Sequence, residues 1–183
     1  MDFERVLKAL LEAFDRQEVR YAAVGGFALG VLGAPRATLD LDFLVHRDDL
    51  AKLDATLREL GYRRFGQTVN VTKYVHPDRA WGSLDFIHAF RKISLEMLAR
   101  AKRRPILNGT QSLPVADPED LIGLKVQAIA NNPDRQHQER ADIERLMALY
   151  GKQLDWSRVQ GFYELFNLGE EATQLRRRFG NVE

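Results

Sequence analysis

The feature that most restricts how this chain can fold is a glycine pair placed between two apolar segments. Gly25-Gly26 directly follows the short apolar run Tyr21–Val24, which predicts a buried strand. After the pair, Phe27–Leu32 predicts a short helix and Thr38–Val45 predicts a second strand. Glycine lets the backbone turn sharply and lets a ligand approach without a Cβ in the way. The segment therefore predicts a strand, a glycine turn, a helix and a strand in close succession.

The second of these strands carries the acidic pair Asp40 and Asp42. Residues two apart in a strand project from the same face, so we expect the two carboxylates to point the same way. At about 4 Å they would repel each other by roughly 4 kcal/mol at an effective dielectric constant near 20, unless a cation lies between them. Carboxylate oxygens are hard ligands that suit Mg²⁺, and the start of the helix after the glycine turn favours a phosphate group. A phosphate turn beside a divalent-metal pair indicates a protein that handles nucleotides.

Three further residues fit the transfer of a nucleotidyl group from a nucleoside triphosphate. Two divalent ions about 3.5–4 Å apart need several converging carboxylates, and Asp85 is the candidate for the third because it interrupts the otherwise apolar strand Ser83–Ala89. Arg36 is placed to bind triphosphate oxygens in a bidentate fork. Thr38 is expected to share a strand face with the aspartate pair and to donate a hydroxyl hydrogen bond. The alternatives are an edge-strand acid facing water for Asp85 and an ordinary loop arginine for Arg36.

The composition restricts the class of protein further. Apolar residues make up 45% and charged residues 29%, which is typical of a globular protein. The 27 Lys and Arg residues against 26 Asp and Glu residues give a net charge of +1, so no overall field indicates a nucleic-acid binder. The chain has no cysteine, which excludes disulfides and thiol catalysis. The longest apolar stretch, 21–34, is shorter than the roughly 20 residues that span a bilayer, and no basic segment opens the chain. We expect a soluble, cytoplasmic protein that does not enter a membrane.

The remaining pattern predicts a mixed first half and a helical second half. Helical spacing of apolar residues in 2–17 and 48–61 alternates with extended segments in 62–65, 69–75 and 83–89. After the helix start at Asp117-Pro118, helices are predicted near 118–130, 136–150, 155–167 and 170–179. The predicted fold class is therefore α/β (α+β): a small mixed sheet flanked by helices over residues 1–115, and a C-terminal helical lobe over 116–183 packed against it.

The segment Val24–Val45 resembles the signature of the DNA polymerase β-like nucleotidyltransferase superfamily. That signature is a hydrophobic residue, Gly-Gly or Gly-Ser, a gap of about ten residues and an Asp-x-Asp flanked by hydrophobic residues; here it comprises Gly25-Gly26 and Asp40-Leu41-Asp42, with Arg36 in the gap. Within the superfamily, the chain is similar to minimal stand-alone enzymes of the AbiEii type, which are toxins of abortive-infection systems. The resemblance covers most of residues 20–150.

The second half adds to this resemblance. Asp120–Ala130 and the later segment Asp142–Leu146 are similar to the lysine helix and the acidic helix of the AbiEii-type relatives. In these relatives the lysine contacts the nucleotide phosphates, which implies that role for Lys125. The relatives often carry an aspartate three residues before the later one, where this chain has Glu139. Glu139 and Asp142 are therefore not included among the predicted catalytic residues.

The resemblance implies a fold, an activity and a set of roles. We expect a Mg²⁺-dependent transfer of a nucleoside monophosphate from an NTP to a hydroxyl acceptor. Asp40, Asp42 and Asp85 would hold two Mg²⁺ ions, and Asp85 would also help to deprotonate the acceptor. Gly25-Gly26, with Arg36, Thr38 and Lys125, would bind the nucleotide.

The acceptor stays open at this stage. RNA, such as a tRNA end, or a protein side chain would suit a toxin with a cognate antitoxin, whereas a small molecule would suit an enzyme of the antibiotic-modifying type, which shares a similar Gly-Gly…Arg-x-x-x-Asp-x-Asp opening. A catalytically silent module that binds a nucleotide or a partner is the alternative from another class.

Several other polar residues are predicted to have structural roles. The basic clusters Arg100–Arg104 and Arg176–Arg178 are interpreted as solvated helix ends rather than an RNA-binding surface, because aromatic residues are not interleaved with them. The four histidines lack metal-ligand spacing. His88 follows Asp85 by an odd number of residues on the same strand, so it is predicted on the opposite face.

Overall fold

The computed structural model describes residues 1–180 and confirms the predicted fold class, with a mixed sheet accompanied by helices. The strands in this range are β1 (Tyr21–Val24), β2 (Asp40–His46), β3 (Arg63–Gln67), β4 (Val71–Val75), β5 (Ser83–Ala89), β6 (Lys102–Ile106) and β7 (Gln111–Val115). The helices are α1 (Phe3–Arg16), α2 (Gly25–Val31), α3 (Leu50–Glu59), α4 (Lys92–Arg100), α5 (Pro118–Asn131), α6 (Gln136–Tyr150), α7 (Trp156–Glu164) and α8 (Gly169–Phe179).

The chain divides into two compact units. The first comprises residues 1–31 and 35–116 and contains the whole sheet, whose strand order is β3-β4-β5-β2-β1-β7-β6. The second comprises residues 32–34 together with Asp117 and the residues that follow it, and contains α5 to α8. Among residues 1–180, no helix is long and apolar enough to cross a membrane.

Strand β2 lies at the centre of the sheet and sets the register of its neighbours. It pairs antiparallel with β1, so that Val24 faces Asp42, and parallel with β5, so that Asp42 also faces Asp85. Strand β4 pairs antiparallel with the other side of β5. The end of β1, the start of β2 and the middle of β5 are thereby brought to one place, which the local sequence pattern cannot specify.

An aromatic cluster holds the first helix against one face of the sheet. The rings of Phe43 and Phe86 stack at 5.4 Å, and the ring of Phe14 meets both edge-on at 6.0 and 6.2 Å. Full burial of such a side chain contributes about 1.5–3 kcal/mol each. Helix α1 presents its apolar stripe to this core because its buried residues recur at helical spacing, and the Asp2 side chain caps the helix by accepting from the Arg5 N–H at 3.1 Å.

The second unit is a helical assembly in which small residues allow close packing. A Cβ added to Gly123 of α5 would lie 2.7 Å from the ring of Phe162 in α7. Glycine at this position therefore lets the two helices approach, at the cost of its low helix propensity. At the end of α6, the Tyr150 hydroxyl donates to the carbonyl of Leu32 at 2.7 Å, which fixes the short segment 32–34 to this unit.

The prediction for the basic cluster of the first unit is wrong. Arg100–Arg104 is not a solvated helix end, because Lys102–Ile106 forms strand β6, which pairs antiparallel with β7 from Lys102 opposite Val115 to Ile106 opposite Gln111. Pro105 lies within this strand, opposite Ser112. It is accepted within β6 because β6 is the last strand of the sheet, where a residue without an N–H can face away from the ladder.

Candidate active site

The three predicted carboxylates lie on two neighbouring strands. Asp40 and Asp42 alternate with Leu41 and Phe43 along β2, and the two aspartates are partly exposed whereas the two apolar residues are fully buried. Asp85 lies directly opposite Asp42 in the parallel β2–β5 pair. Strand β5 runs between β2 and β4, so the interpretation of Asp85 as an edge-strand acid is excluded.

The electrostatics of Asp42 show that the three carboxylates share one field. Burial and, to a smaller extent, the charges of Asp40 and Asp85 raise the pKa of Asp42 to about 6. The backbone N–H of Gly26 donates a hydrogen bond to the Asp42 carboxylate and, with the Arg36 guanidinium, acts in the opposite direction. Burial and repulsion together outweigh these two effects, so the negative charge on Asp42 is disfavoured in the folded protein.

The glycine pair makes room for this carboxylate. Gly25 has φ of +65°, and a Cβ added to it would lie 2.0 Å from the Asp42 Oδ2 atom. A Cβ on Gly26 would lie 2.9 Å from Thr38 Oγ1 and 3.1 Å from Arg36 Cζ. Helix α2 begins at Gly25 rather than at Phe27, so the pair forms its first turn. Both glycines are required by close approach of site residues, in addition to any phosphate.

Arg36 and Thr38 lie in the connection between α2 and β2. The Thr38 hydroxyl is 3.2 Å from both the backbone oxygen and Oδ1 of Asp40. Strand β2 begins at Asp40, so Thr38 precedes the strand rather than sharing its face, and it reaches the aspartate through its hydroxyl. Arg36 donates to the carbonyl of Ala37 at 2.9 Å, and its guanidinium carbon lies beside Gly26. The structure thus brings Arg36, Thr38 and the glycine pair together with Asp42.

A cleft of about 630 Å³ adjoins these residues in the first unit. Its polar end is formed by Gly26, Arg36 and Thr38, and its apolar end by residues of α1, α2 and the end of β6 with the turn after it, among them Phe3, Phe27, Ile106 and Leu107. This volume is within the range of small-molecule sites.

The sequence did not predict a role for Lys73. Its Nζ donates to Asp85 Oδ2 at 2.6 Å across the antiparallel β4–β5 pair. The only signal in the sequence is a lysine at an alternate position of the segment Val71–Val75. That spacing gives the face of the strand but not the residue across from it, which depends on the register.

The donor set is chemically suited to a hard divalent cation. Asp40, Asp42 and Asp85 offer only carboxylate oxygens, which Mg²⁺ prefers. A cation bound among them would reduce the repulsion of Asp42 by its two neighbours. Within residues 1–180, however, no group of three or more acidic or histidine side chains is already arranged around a metal position. Asp85 is instead paired with Lys73. The residues fit Mg²⁺ by type and by strand position, with Asp85 held by an ammonium group.

Lys125 belongs to the second unit and is buried there. Its Nζ donates to Glu139 Oε2 at 2.8 Å and to Asp142 Oδ2 at 2.6 Å. Arg135 and Arg145 pair with the remaining oxygens of these two carboxylates at 2.5 and 3.2 Å. The structure therefore joins Lys125 with the two acids that were not included among the catalytic residues. A nucleotide contact by Lys125 stays a prediction.

His88 lies on the buried face of β5, as its spacing from Asp85 predicts. Its Nδ1 is 2.9 Å from the carbonyl oxygen of Val69, so Nδ1–H donates and Nε2 accepts from the Thr72 hydroxyl at 2.8 Å. Burial lowers the pKa of His88 and keeps the ring neutral. The histidine is a structural residue that donates a hydrogen bond to a backbone carbonyl in the turn between β3 and β4.

Comparisons with known proteins agree with this fold. A family model described as "Uncharacterised nucleotidyltransferase" matches residues 2–172. A search of curated proteins gives no significant match.

Three solved structures are similar to the chain. The solution structure of the antibiotic-resistance factor ANT(2'')-Ia is 18% identical, with 97% of this chain and 99% of that chain covered at a TM-score of 0.65. A nucleotidyltransferase-like antigenic protein from Paracoccidioides brasiliensis is 17% identical, with 96% and 92% covered at 0.57. The lincosamide antibiotic adenylyltransferase LnuA is 16% identical, with 80% and 97% covered at 0.54. At these identities the similarity establishes the fold.

Proposed function

The chain belongs to the family of uncharacterised nucleotidyltransferases, and from this premise we propose that it transfers a nucleoside monophosphate from an NTP to a hydroxyl group of a small molecule. The observation that carries the proposal is the convergence of Asp40, Asp42 and Asp85 beside the turn of Gly25-Gly26. Three neighbouring carboxylates in an interior part of the sheet are costly unless cations bind between them.

The residues would divide the reaction between them. Asp40, Asp42 and Asp85 would hold Mg²⁺, which, when bound, neutralises the triphosphate and polarises the α-phosphoryl group. Arg36 and the Thr38 hydroxyl lie beside the glycine turn and would bind the oxygens of the departing pyrophosphate. The acceptor oxygen would form a bond to the α-phosphorus while the bond to pyrophosphate breaks. The Asp85 carboxylate would accept the proton of the acceptor hydroxyl group.

A small acceptor is favoured by two observations. Similarity to ANT(2'')-Ia extends over nearly the whole of both chains, and a second structure of that protein is described as a complex with adenylyl-2''-tobramycin. The chain also has a net charge of only +1 and no overall field for a polynucleotide. A small hydroxyl compound therefore fits this chain better than a polymer.

The charge near Asp85 indicates which small molecules are suited. Lys73 lies beside Asp85, and Arg63 on β3 faces Val75, which shares the face of Lys73. Lys73 partly neutralises Asp85, and these two cationic side chains repel a positively charged acceptor group on this side of the acidic site. We expect a neutral or anionic hydroxyl compound rather than an aminoglycoside.

RNA is the second candidate acceptor, within the AbiEii-type toxin setting. It is favoured by strand β6, where Lys102 and Arg103 are exposed at the last strand of the sheet. Phosphate contacts by lysine and arginine supply much of the affinity for nucleic acid. A cognate antitoxin would belong to the same setting.

The test is transfer of label from each of the four α-³²P-labelled NTPs in the presence of Mg²⁺. One reaction contains a small-molecule cell extract, and the other contains total RNA; the products are resolved by thin-layer chromatography and by gel. We expect labelled small-molecule product that disappears in Asp40→Asn/Asp42→Asn and persists in Asp48→Asn, a control whose side chain is 79% exposed. Label on RNA alone supports the second candidate. Undiminished label in the double variant refutes the assignment of the site.

A further inference from the structure

Lys73 is held next to Asp85 by the backbone of the sheet. Strands β4 and β5 pair continuously from Val71 opposite Ile87 to Val75 opposite Ser83, and Lys73 occupies the central position opposite Asp85. Directly opposed side chains on one face of an antiparallel pair have Cβ atoms about 4.5–5.5 Å apart. The register therefore fixes Lys73 opposite Asp85, within reach of its carboxylate.

The ammonium group lies against a carboxylate that a divalent ion would need as a ligand. It lies 2.6 Å from Asp85 Oδ2, and Asp85 in turn contributes to the field that raises the pKa of Asp42. Asp85 is the carboxylate of the three that has a lysine directly across the strand pair. The group of three carboxylates, which could hold a divalent ion, thus has a singly charged ammonium group beside one of its members.

The ion pair is weak enough to be displaced. The Lys73 side chain is 54% exposed, and ion pairs of such exposure contribute about 0–1 kcal/mol. A lysine ammonium is a strongly hydrated charge on a flexible stem, so it can leave the carboxylate and remain in solvent nearby. A divalent ion shared by several carboxylates gains more from Asp85 than Lys73 does.

We propose that Lys73 is an internal counter-cation that competes with the divalent ion for Asp85, so that Asp85 becomes a metal ligand only when Lys73 is displaced. This inference rests on the proposed function, because it takes Asp40, Asp42 and Asp85 together as the metal site. Lys73 acts through Asp85 and is a positioning residue. It keeps the third carboxylate neutralised in the metal-free protein and lowers the affinity of the site for metal alone.

The first test measures binding of Mn²⁺ alone by electron paramagnetic resonance and by calorimetry, without nucleotide or acceptor. Lys73→Met keeps the length of the side chain and removes the charge, and we expect it to lower the Mn²⁺ dissociation constant about fivefold, which corresponds to about 1 kcal/mol. Lys73→Arg keeps the charge and is expected to stay within about twofold of the unaltered protein.

Lys8→Met is a closely matched control. Lys8 is also a half-exposed lysine in the first unit, its Nζ is also 2.6 Å from a carboxylate oxygen, that of Glu4, and its loss changes the net charge by the same amount. We expect Lys8→Met to leave the Mn²⁺ dissociation constant unchanged. An equal change in Lys8→Met and Lys73→Met would reduce the effect to overall charge and overturn the proposal.

The second test follows the ammonium group directly by ¹⁵N NMR of the lysine Nζ, with the signal of Lys73 assigned by its loss in Lys73→Arg. Saturating Mg²⁺ is expected to shift this signal to that of a solvated lysine. A signal that stays at its metal-free position when Mg²⁺ is bound overturns the proposal, because Lys73 would then remain on Asp85.

The outcomes separate this inference from the proposed function. Unaltered protein that binds Mn²⁺ in a manner lost in Asp42→Asn, with Lys73→Met binding no more tightly, overturns the role of Lys73 alone. Failure of the unaltered protein and of every variant to bind Mn²⁺ overturns both the metal site and the role of Lys73.

Discussion

Replacing Asp42 with asparagine should stabilise the metal-free protein while it abolishes transfer. The pKa of Asp42 in the folded state is about 6, against an ordinary value of 3.8. Since the folded-state value is raised, the contribution of this carboxyl group to stability is fully present below about pH 4 and is lost as the pH rises through 6. Two pKa units correspond to about 3 kcal/mol, which is the cost of holding the charged carboxylate in the metal-free fold above pH 7.

Asparagine removes that cost and preserves most of the packing. Its side chain has the shape of aspartate, and its carbonyl oxygen can still accept from the Gly26 N–H that now reaches Asp42. We therefore expect Asp42→Asn to be more stable than the unaltered protein by up to about 3 kcal/mol at pH 8 and equally stable at pH 4.

The assay is urea unfolding followed by circular dichroism in EDTA, at pH 4 and at pH 8, with Asp48→Asn as the exposed control. Addition of Mg²⁺ at pH 8 should stabilise the unaltered protein and leave the stability of Asp42→Asn unchanged, since only the unaltered protein has all three carboxylates. An Asp42→Asn protein that is equally or less stable than the unaltered protein at pH 8 in EDTA refutes the reasoning, because burial and the neighbouring carboxylates would then not disfavour the charge on Asp42.

Three other predictions test the neighbouring interactions. Gly25→Ala should reduce transfer at least about 100-fold and lower the urea midpoint, because the added Cβ would lie 2.0 Å from Asp42 Oδ2. Gly30→Ala, whose Cβ would meet nothing within 4 Å, should retain the transfer activity and the urea midpoint. Since the pKa of His88 is lowered by burial, its contribution is present above about pH 6.5 and is lost as the pH falls through its folded-state value; urea midpoints measured between pH 7 and pH 5 should therefore fall more steeply for the unaltered protein than for His88→Gln. Lys125→Met leaves two buried carboxylates without their shared lysine and should destabilise the protein by about 3–5 kcal/mol in urea; a variant of normal stability that has lost only NTP binding would instead support the nucleotide contact.

Strands with strong local signals were predicted well from the sequence. The bounds of Tyr21–Val24 and Ser83–Ala89 agree with the structure. The first is a short apolar run that ends at a glycine pair, and the second follows Gly82 and alternates buried Leu84 and Phe86 with more exposed residues. The charged strand Lys102–Ile106 was missed, since an edge strand needs neither an apolar run nor an N–H at every position. Its presence is decided by pairing with β7, which is a tertiary interaction.

The same distinction applies to the site. Asp40 and Asp42 share a face through the period of a single strand, which a sequence displays directly. The approach of Asp85 to Asp42 and of Lys73 to Asp85 depends instead on the register of separate strands. A shift of one residue in either pairing would turn the side chains of that strand to the other face. An acidic residue within an apolar strand could therefore suggest Asp85 as a site residue, but no local feature of the sequence could place Lys73 beside it.

The glycine pair and the aspartate pair form one structural requirement rather than two motifs placed side by side. Gly25 is needed where it is because Asp42, across the antiparallel β1–β2 pair from Val24, places its carboxylate against the turn. The Gly26 N–H then donates to that carboxylate, so the turn stabilises the charge that it admits. Substrate binding must draw Asp42 away from this hydrogen bond or share it, because one N–H cannot fully serve both a carboxylate and a phosphate. Occupation of the turn by phosphate and occupation of the carboxylates by metal should therefore be coupled, and each should increase the affinity for the other.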